Sequence, residues 1–406
     1  MQNTPKSLRL QIAISGRVNS GKSSFLNLVC GQNISITSDI SGTTTDVVEK
    51  AMELAPLGAV LFMDTAGLGD DTNLKNQRKE KTTAALQKAD IILLVCEGDF
   101  IGEEEQNIIN EAQKNNTPLL KIYNKADKFT IKATDGLALN SLDFAMRDIV
   151  LQQLTEKLLK LCPEDFLQQI PLVGDLAKEN STVVMIVPID YEAPKGRLIL
   201  PQVQAIRDCL DHNQNIVVCK ETTYESTLKN FKNPPSLVIC DSQVVDFMCA
   251  KTPAEIKCTT FSILMARFKA DLTIMAKNAA IINKLKDGDK ILIAESCTHH
   301  AVQDDIGRVK IPALLRKKTQ KNLQIDFVSG CDFAKNLEQY KLVIQCGGCT
   351  INRKEMLSRL YKCEEANVKI TNYGVCISEL KGVLERVLEP FPEALKAYLQ
   401  AKNESR

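Results

Sequence analysis

The run Leu10–Ser15, LQIAIS, passes directly into Gly16-Arg17-Val18-Asn19-Ser20-Gly21-Lys22-Ser23, and that turn passes directly into SSFLNLVC, residues 23–30. A strand-like run, a turn spaced G-x-x-x-x-G-K-S and a helical stretch form the context in which this spacing cradles phosphate. Gly16 and Gly21 let backbone N–H groups turn inward, Lys22 reaches the terminal phosphates as a point charge, and the Ser23 hydroxyl is placed for Mg²⁺. Ser20 and Ser24 complete the candidate phosphate-binding set.

Asp64-Thr65-Ala66-Gly67 follows the apolar run AVLFM, and Asn124-Lys125-Ala126-Asp127 follows LLKIY. Asp64 is expected on the metal side and Gly67 beside the γ-phosphate. The Asp127 carboxylate can accept the two donors on the guanine edge that adenine lacks, so the nucleotide is expected to be GTP. Each four-residue motif alone reads as an ordinary turn. In this order, each at the carboxyl end of a strand-like run, they read together as one nucleotide site.

Ala133, in Ile131-Lys132-Ala133, is the expected backbone donor beside the guanine oxygen. The polar loop SGTTTD, residues 41–46, is of the type that closes over the γ-phosphate. Leu68 follows Gly67 where Ras-like proteins carry a water-positioning glutamine, so slow intrinsic hydrolysis is expected.

Beyond this segment, strand-like runs go on alternating with helical patterns: TVVMIVP, NIVVC, LVICD, then KILIAE, QIDFVSG and KLVIQC. That alternation predicts an α/β fold: a P-loop GTPase domain followed by two further α/β domains with mainly parallel sheets. Divisions are expected near residues 161–181, where Cys162-Pro163-Glu164 ends a long helical pattern, and near 262–272.

The chain has 406 residues, enough for two or three domains, with 44% hydrophobic and 25% charged residues. A net charge of +1 gives no footprint for neutralising many phosphates, which makes nucleic acid a poor partner. The first residues run into a strand without a cleavable leader pattern, and no run approaches the roughly 20 apolar residues of a membrane span. No membrane partner and a cytoplasmic location are expected.

Of the 14 cysteines, most sit singly in apolar runs, such as Cys96 in IILLVC, Cys219 in IVVC and Cys240 in LVIC, and read as small buried hydrophobes. Cys346 and Cys349, in QCGGCT, differ. That loop and ESCTHH, residues 295–300, each follow a strand-like run, so both are expected at carboxyl ends of parallel strands. The glycines between the two cysteines leave room for their sulfurs to point at one centre, and Asn352 reads as the cap of the helix RKEMLSRL.

Cys297, Cys346 and Cys349 could take Zn²⁺ with His299 or His300, or three irons of a [4Fe–4S] cluster with one iron left for Glu295, a histidine or water. A redox disulfide and an inert pair are the other readings of the spacing.

The first segment resembles the GTPases typified by Era and by the tRNA-modification GTPase MnmE. That resemblance implies Thr44 as the Mg²⁺-binding switch threonine and Asn19 as a residue helping K⁺ to bind beside the phosphates, with K⁺-stimulated hydrolysis. Lys22, Thr44, Asp64 and Gly67 would then carry catalysis.

The whole chain, with CDSQVVDF, TTFSILMARFKADL, CTHHAVQDDIGRVKIP, QCGGCTINRKEM and ITNYGV, closely resembles the [FeFe]-hydrogenase maturation GTPase family. The resemblance implies a GTPase domain over 1–165, a dimerisation domain over 175–263 and a [4Fe–4S] cluster-binding domain over 264–406. In that family's pattern CxH…HCxxC, Cys297 and His299 match the first half and Cys346 and Cys349 the second. Gln345 stands where the pattern has its second histidine, which leaves three thiolates and an exchangeable fourth ligand, Glu295 or His299. The implied role is scaffold and carrier of a transient diiron precursor, received from radical-SAM maturases and delivered to the hydrogenase by a homodimer or higher oligomer. The readings set against it are a GTPase of tRNA modification or ribosome assembly, and a zinc-stabilised interaction protein with a regulatory G domain.

Overall fold

The computed structural model describes residues 4–31, 48–65, 75–163, 166, 170–189, 198–296, 305–330, 333–334 and 336–404. The chain divides into two compact units, Met1–Gln169 and Ile170–Arg406.

The first unit is built on a six-stranded sheet in the order β2-β3-β1-β4-β5-β6. Its strands are β1 (Leu10–Ser15), β2 (Val48–Leu54), β3 (Gly58–Asp64), β4 (Ile91–Glu97), β5 (Leu119–Asn124) and β6 (Gly136–Ala138). Alternate residues of a strand point to opposite faces. Ile91, Leu93 and Val95 therefore join a core with Phe25, Leu26 and Leu154, while Ile92, Leu94 and Cys96 join another with Leu86, Ile108 and Ala112. Both faces are covered, which is why IILLVC reads as an unbroken apolar run and every residue of LQIAIS is buried.

β2 is the exception in direction: it pairs antiparallel with β3, so this sheet is mixed. Its sequence, VEKAMEL, alternates between half-buried and exposed residues as an edge strand does, and it carries too many charges to read as a core strand.

The second unit holds two all-parallel sheets. One runs β10-β9-β7-β8, from β7 (Thr182–Ile186), β8 (Asn215–Cys219), β9 (Leu237–Cys240) and β10 (Lys257–Thr260). The other runs β12-β11-β13-β14, from β11 (Lys290–Ala294), β12 (Gln324–Val328), β13 (Leu342–Gln345) and β14 (Lys369–Asn372).

The two share a topology. In each, the second strand lies on one side of the first and the third strand on the other, so the chain reverses direction between β7 and β9 and again between β11 and β13. Crevices at the carboxyl ends beside such reversals are where open α/β sheets bind ligands.

A single hydrophobic core joins both sheets. The segment at which a second division is expected, 262–272, is occupied by the helix Phe261–Lys269 and the start of Leu272–Ala279, whose buried residues belong to that core.

Cys96, Cys209, Cys240, Cys258, Cys363 and Cys376 are buried thiols, and burial pushes those of Cys96, Cys209 and Cys363 up to about 12. Cys219 departs from the expectation. β8 is an edge strand, which leaves this thiol half-buried.

Candidate functional site

The turn between β1 and the helix Lys22–Cys30 is built as a phosphate cradle. Gly16 has φ 148° and a Cβ there would stand 2.3 Å from the Val95 carbonyl oxygen; Gly21 has φ 95° and a Cβ there would stand 2.1 Å from Asn124 Nδ2. Only glycine fits at either place. Asn19 is exposed in the left-handed region at φ 64°, the tip of a turn closed by Ser20 N–H to Arg17 O.

Lys22 Nζ donates to the carbonyls of Gly16 (2.9 Å) and Arg17 (2.7 Å), so the loop curls around the ammonium. Burial lowers the Lys22 pKa, opposed by the negative charge of Asp64. Ser23 Oγ donates to Asp64 Oδ2 at 2.9 Å, which brings the two candidate Mg²⁺-side residues together, and Ser24 follows on the same first helical turn. Burial raises the Asp64 pKa, offset in part by the Ser23 bond and by Lys22.

Among the described residues, Asp64 Oδ1 and Ser20 Oγ are buried without a hydrogen-bond partner. Leaving such groups unpaired costs about 1–3 kcal/mol each. A Mg²⁺ ion and a phosphate oxygen are the partners this donor set fits. Thr44 and Gly67 lie outside the described residues, as does the whole loop SGTTTD.

Asn124, at the end of β5, joins three segments. Its Nδ2 donates to the Ser20 carbonyl at 2.9 Å, and its Oδ1 accepts from the Ser141 N–H at 3.0 Å and the Ser141 hydroxyl at 2.8 Å. Lys125, at φ 61°, extends to Glu97 Oε1 at 2.5 Å, and the Arg17 guanidinium reaches the other oxygen of Glu97. Asp127 is exposed at the mouth of this loop.

Ala133 is the expected backbone donor of the guanine side. It precedes β6, and its N–H is turned to Asp99 Oδ1 at 3.3 Å. The loop that meets Asn124 leaves the carboxyl end of β6, at Asn140-Ser141-Leu142. Sequence reading missed it because β6 has only three residues, too few to show a period.

In the second unit, β11 and β13 are neighbours with Ala294 opposite Gln345. The loops ESCTHH and QCGGCT therefore leave side by side at the point where the chain reverses. Cys346 N–H donates to the Ala294 carbonyl at 2.9 Å, Ser296 N–H donates to Cys346 Sγ at 3.1 Å, and Thr350 Oγ1 donates to the Ser296 carbonyl at 3.1 Å. Cys297, His299 and His300 lie outside the described residues, but the residue before Cys297 is pinned to the cysteine loop.

Cys346 and Cys349 are half-buried thiols, neither in a disulfide. Gly348 has φ 61° and a Cβ there would stand 2.2 Å from Met356 Cε, so this turn requires glycine. A Cβ at Gly347 would meet no described atom within 4 Å. The two glycines thus differ: one is demanded by the backbone, while the other meets no described atom.

Gln345 is fully buried. Its Nε2 donates to Ser296 Oγ at 2.9 Å and lies 3.4 Å from Cys346 Sγ, while its Oε1 accepts from Arg359 Nη1 at 3.0 Å. It is a strut between the two loops. Glu295 is buried as well, with Arg308 Nη2 and the Tyr373 hydroxyl each 3.5 Å from its carboxylate. Asn352 caps the helix Arg353–Glu365 by accepting from Glu355 N–H at 3.0 Å.

Burial raises the Cys349 thiol and the neighbouring Cys346 raises it further, while Lys269 draws it down. The donor set here is soft, paired and partly open, as thiolate ligation of a metal centre needs. Among the described residues alone, no three metal-ligating side chains cluster.

Residues 11–125 match the 50S ribosome-binding GTPase family model. The chain is 35% identical over 123 residues to GTPase Der of Clostridium acetobutylicum, covering 29% of this chain and 28% of that protein. It is 32% identical over 163 residues to the tRNA modification GTPase MnmE of Legionella pneumophila, covering 36% of each. The chain thus spans about a third of the length of the curated relatives it matches. Among solved structures, Era of Aquifex aeolicus bound to GDP and AlF4⁻ matches with 19% identity and a TM-score of 0.33, over 52% of this chain and 93% of that one.

The first segment is thus a GTPase domain of the Era, Der and MnmE type. Residues 172–270 match the hydrogen maturase F dimerization domain and 273–390 the hydrogen maturase F tetramerization domain. These two modules follow a GTPase module in one chain, and the chain therefore belongs to the hydrogen maturase F (HydF) family.

Proposed function

We propose that the protein is a GTP-dependent scaffold that holds a [4Fe–4S] cluster on Cys297, Cys346 and Cys349 and carries the diiron precursor of the [FeFe]-hydrogenase active site to the apo-hydrogenase. The observation that carries the reading is the bond from Ser296 N–H to Cys346 Sγ. It draws the backbone next to Cys297 against the Cys346–Cys349 loop, so three sequence-distant thiols can serve one centre.

Three thiolates would leave one iron of such a cluster without a protein sulfur, and the cluster would there supply a substitutable position for the cargo. The chain's own part is to hold the two loops in register. Gln345 takes the place of a ligand with a strut, and Glu295 or His299 is proposed as the replaceable fourth donor. Homo-oligomers are supported by the dimerization and tetramerization matches. Radical-SAM maturases and the hydrogenase are the proposed partners, the cytoplasm the proposed compartment, and 1–165, 175–263 and 264–406 the proposed domains.

In the first domain, Gly16, Ser20, Gly21, Lys22, Ser23 and Ser24 would hold the phosphates, and Ser23, Asp64 and Thr44 the Mg²⁺. Asn124, Lys125 and Asp127 would hold the guanine, with a backbone donor from Ala133 or from the loop Asn140-Ser141-Leu142 that meets Asn124 facing its oxygen. GTP acts here as a switch for the scaffold.

Anaerobic purification followed by an absorption spectrum, iron and zinc analysis and EPR of the reduced protein tests the cluster. Stoichiometric zinc with no iron would replace this reading with a zinc-stabilised interaction protein.

A further inference from the structure

Lys269 ends the helix Phe261–Lys269 and is 1% exposed. Its Nζ donates to the carbonyls of Gly348 (2.8 Å), Cys349 (3.2 Å) and Ile351 (2.7 Å). Three carbonyl acceptors match the three hydrogens of an ammonium group. Every one of them lies on the cysteine loop or directly after it.

Among the described residues no carboxylate lies within ion-pair distance of this ammonium: Glu355 is committed to Arg359 at 3.1 Å. A buried cation without an anion is costly. The negative charges that act on it are those of Cys349 and Cys346, once ionised, and of Glu355.

We propose that Lys269 is the positioning residue and resident counter-cation of the thiolate centre: it clamps the turn Gly348–Ile351 from outside and supplies the positive charge that offsets the thiolates. This rests on the cluster reading for what the thiolates hold, and on the three hydrogen bonds for the clamp itself. Lys269 lies within the part matched by the dimerization model, whereas its three acceptors lie within the part matched by the tetramerization model. One side chain therefore ties the thiol loop to the core of the neighbouring module.

The test uses the full-length protein with Lys269→Met, which keeps the stem and removes charge and donors, and Lys269→Arg, which keeps the charge but not the three-way fit. In metal-free protein, hydrogen exchange of the peptide spanning residues 346–352 is expected to quicken at least tenfold in Lys269→Met, with the remaining peptides unchanged. In reconstituted protein, a chelator is expected to strip iron at least tenfold faster from Lys269→Met, and the reduction potential of its cluster is expected to fall, because the reduced, more negative form loses its counter-cation. Lys269→Arg is expected to keep the potential near that of the parent while showing the faster exchange.

Unchanged exchange in Lys269→Met overturns the clamp, and an unchanged potential overturns the counter-cation. If the parent protein takes up no iron, the cluster reading fails, and loop exchange still decides the clamp. If Lys269→Met does not fold, exchange in Lys269→Arg decides it.

Discussion

The N–H of Ser296 donates to the sulfur of Cys346 across 3.1 Å, although the two residues are 50 apart in the chain. β11 and β13 are parallel neighbours, so the loops that follow them emerge at the same level, and the hydrogen bond sets one against the other.

Replacing Cys297, Cys346 or Cys349 singly with serine is expected to abolish the brown chromophore of anaerobically purified protein. Iron analysis and the absorption spectrum read the result. Retention of a full cluster in all three variants would remove these residues as ligands.

Gln345→Leu keeps the volume of the strut but leaves Arg359 without one acceptor and Ser296 Oγ with only the Cys346 thiol, at 3.4 Å, as a donor. Unpaired buried groups of this kind cost about 1–3 kcal/mol each. Urea denaturation is expected to show a loss of about 2–4 kcal/mol, with the cluster signals shifted but present, since a strut and not a ligand has been removed.

Asn124→Ala cuts the links from the guanine side to Ser20 and to Ser141. Guanine-nucleotide affinity, measured with a fluorescent GDP analogue, is expected to fall at least tenfold. Ser141→Ala removes one of these bonds and is expected to weaken binding a few-fold. Asp99→Ala, which frees the N–H groups of Lys132 and Ala133, is expected to leave it unchanged.

GTP turnover is expected to be faster in K⁺ than in Na⁺ buffer, and Asn19→Ala to erase the difference. Phosphate release at matched ionic strength is the measurement. Equal rates in both buffers for the parent protein would dismiss the K⁺ role.

Alkaline pH is expected to destabilise the fold through its buried thiols. Cys96, Cys209 and Cys363 are pushed up to about 12 by burial, whereas in the unfolded chain a thiol titrates near the ordinary 8.5. Between these values the unfolded state has released protons that the folded state keeps, so stability is complete below about pH 8.5 and declines as pH rises toward 12. The loss is on the order of 1 kcal/mol per thiol per pH unit. Denaturation midpoints at pH 8 and pH 10 measure it, and Cys363→Ala is expected to flatten the slope.

The sequence by itself determined the α/β class, the strand runs LQIAIS, IILLVC, KILIA and KLVI, and the order of the nucleotide motifs. All of these are local: a buried strand must be apolar along its length when both faces are covered, and a phosphate loop must carry glycine where a Cβ would strike Val95 or Asn124. The edge strand β2 and the three-residue β6 escaped because one is too charged and the other too short to carry a pattern. Without β6, the loop at Ser141 that meets Asn124 could not be singled out from the sequence.

Only the tertiary structure decided what depends on pairing across the chain. That β11 lies against β13, that Gln345 spans from Ser296 to Arg359, and that the ammonium of Lys269 is spent on the carbonyls of Gly348, Cys349 and Ile351 are facts of register and approach. Hydrogen bonds between residues 14 to 82 positions apart leave no local spacing to read. They exist because the parallel sheet, through its reversal between β11 and β13, brings separate loops to one edge.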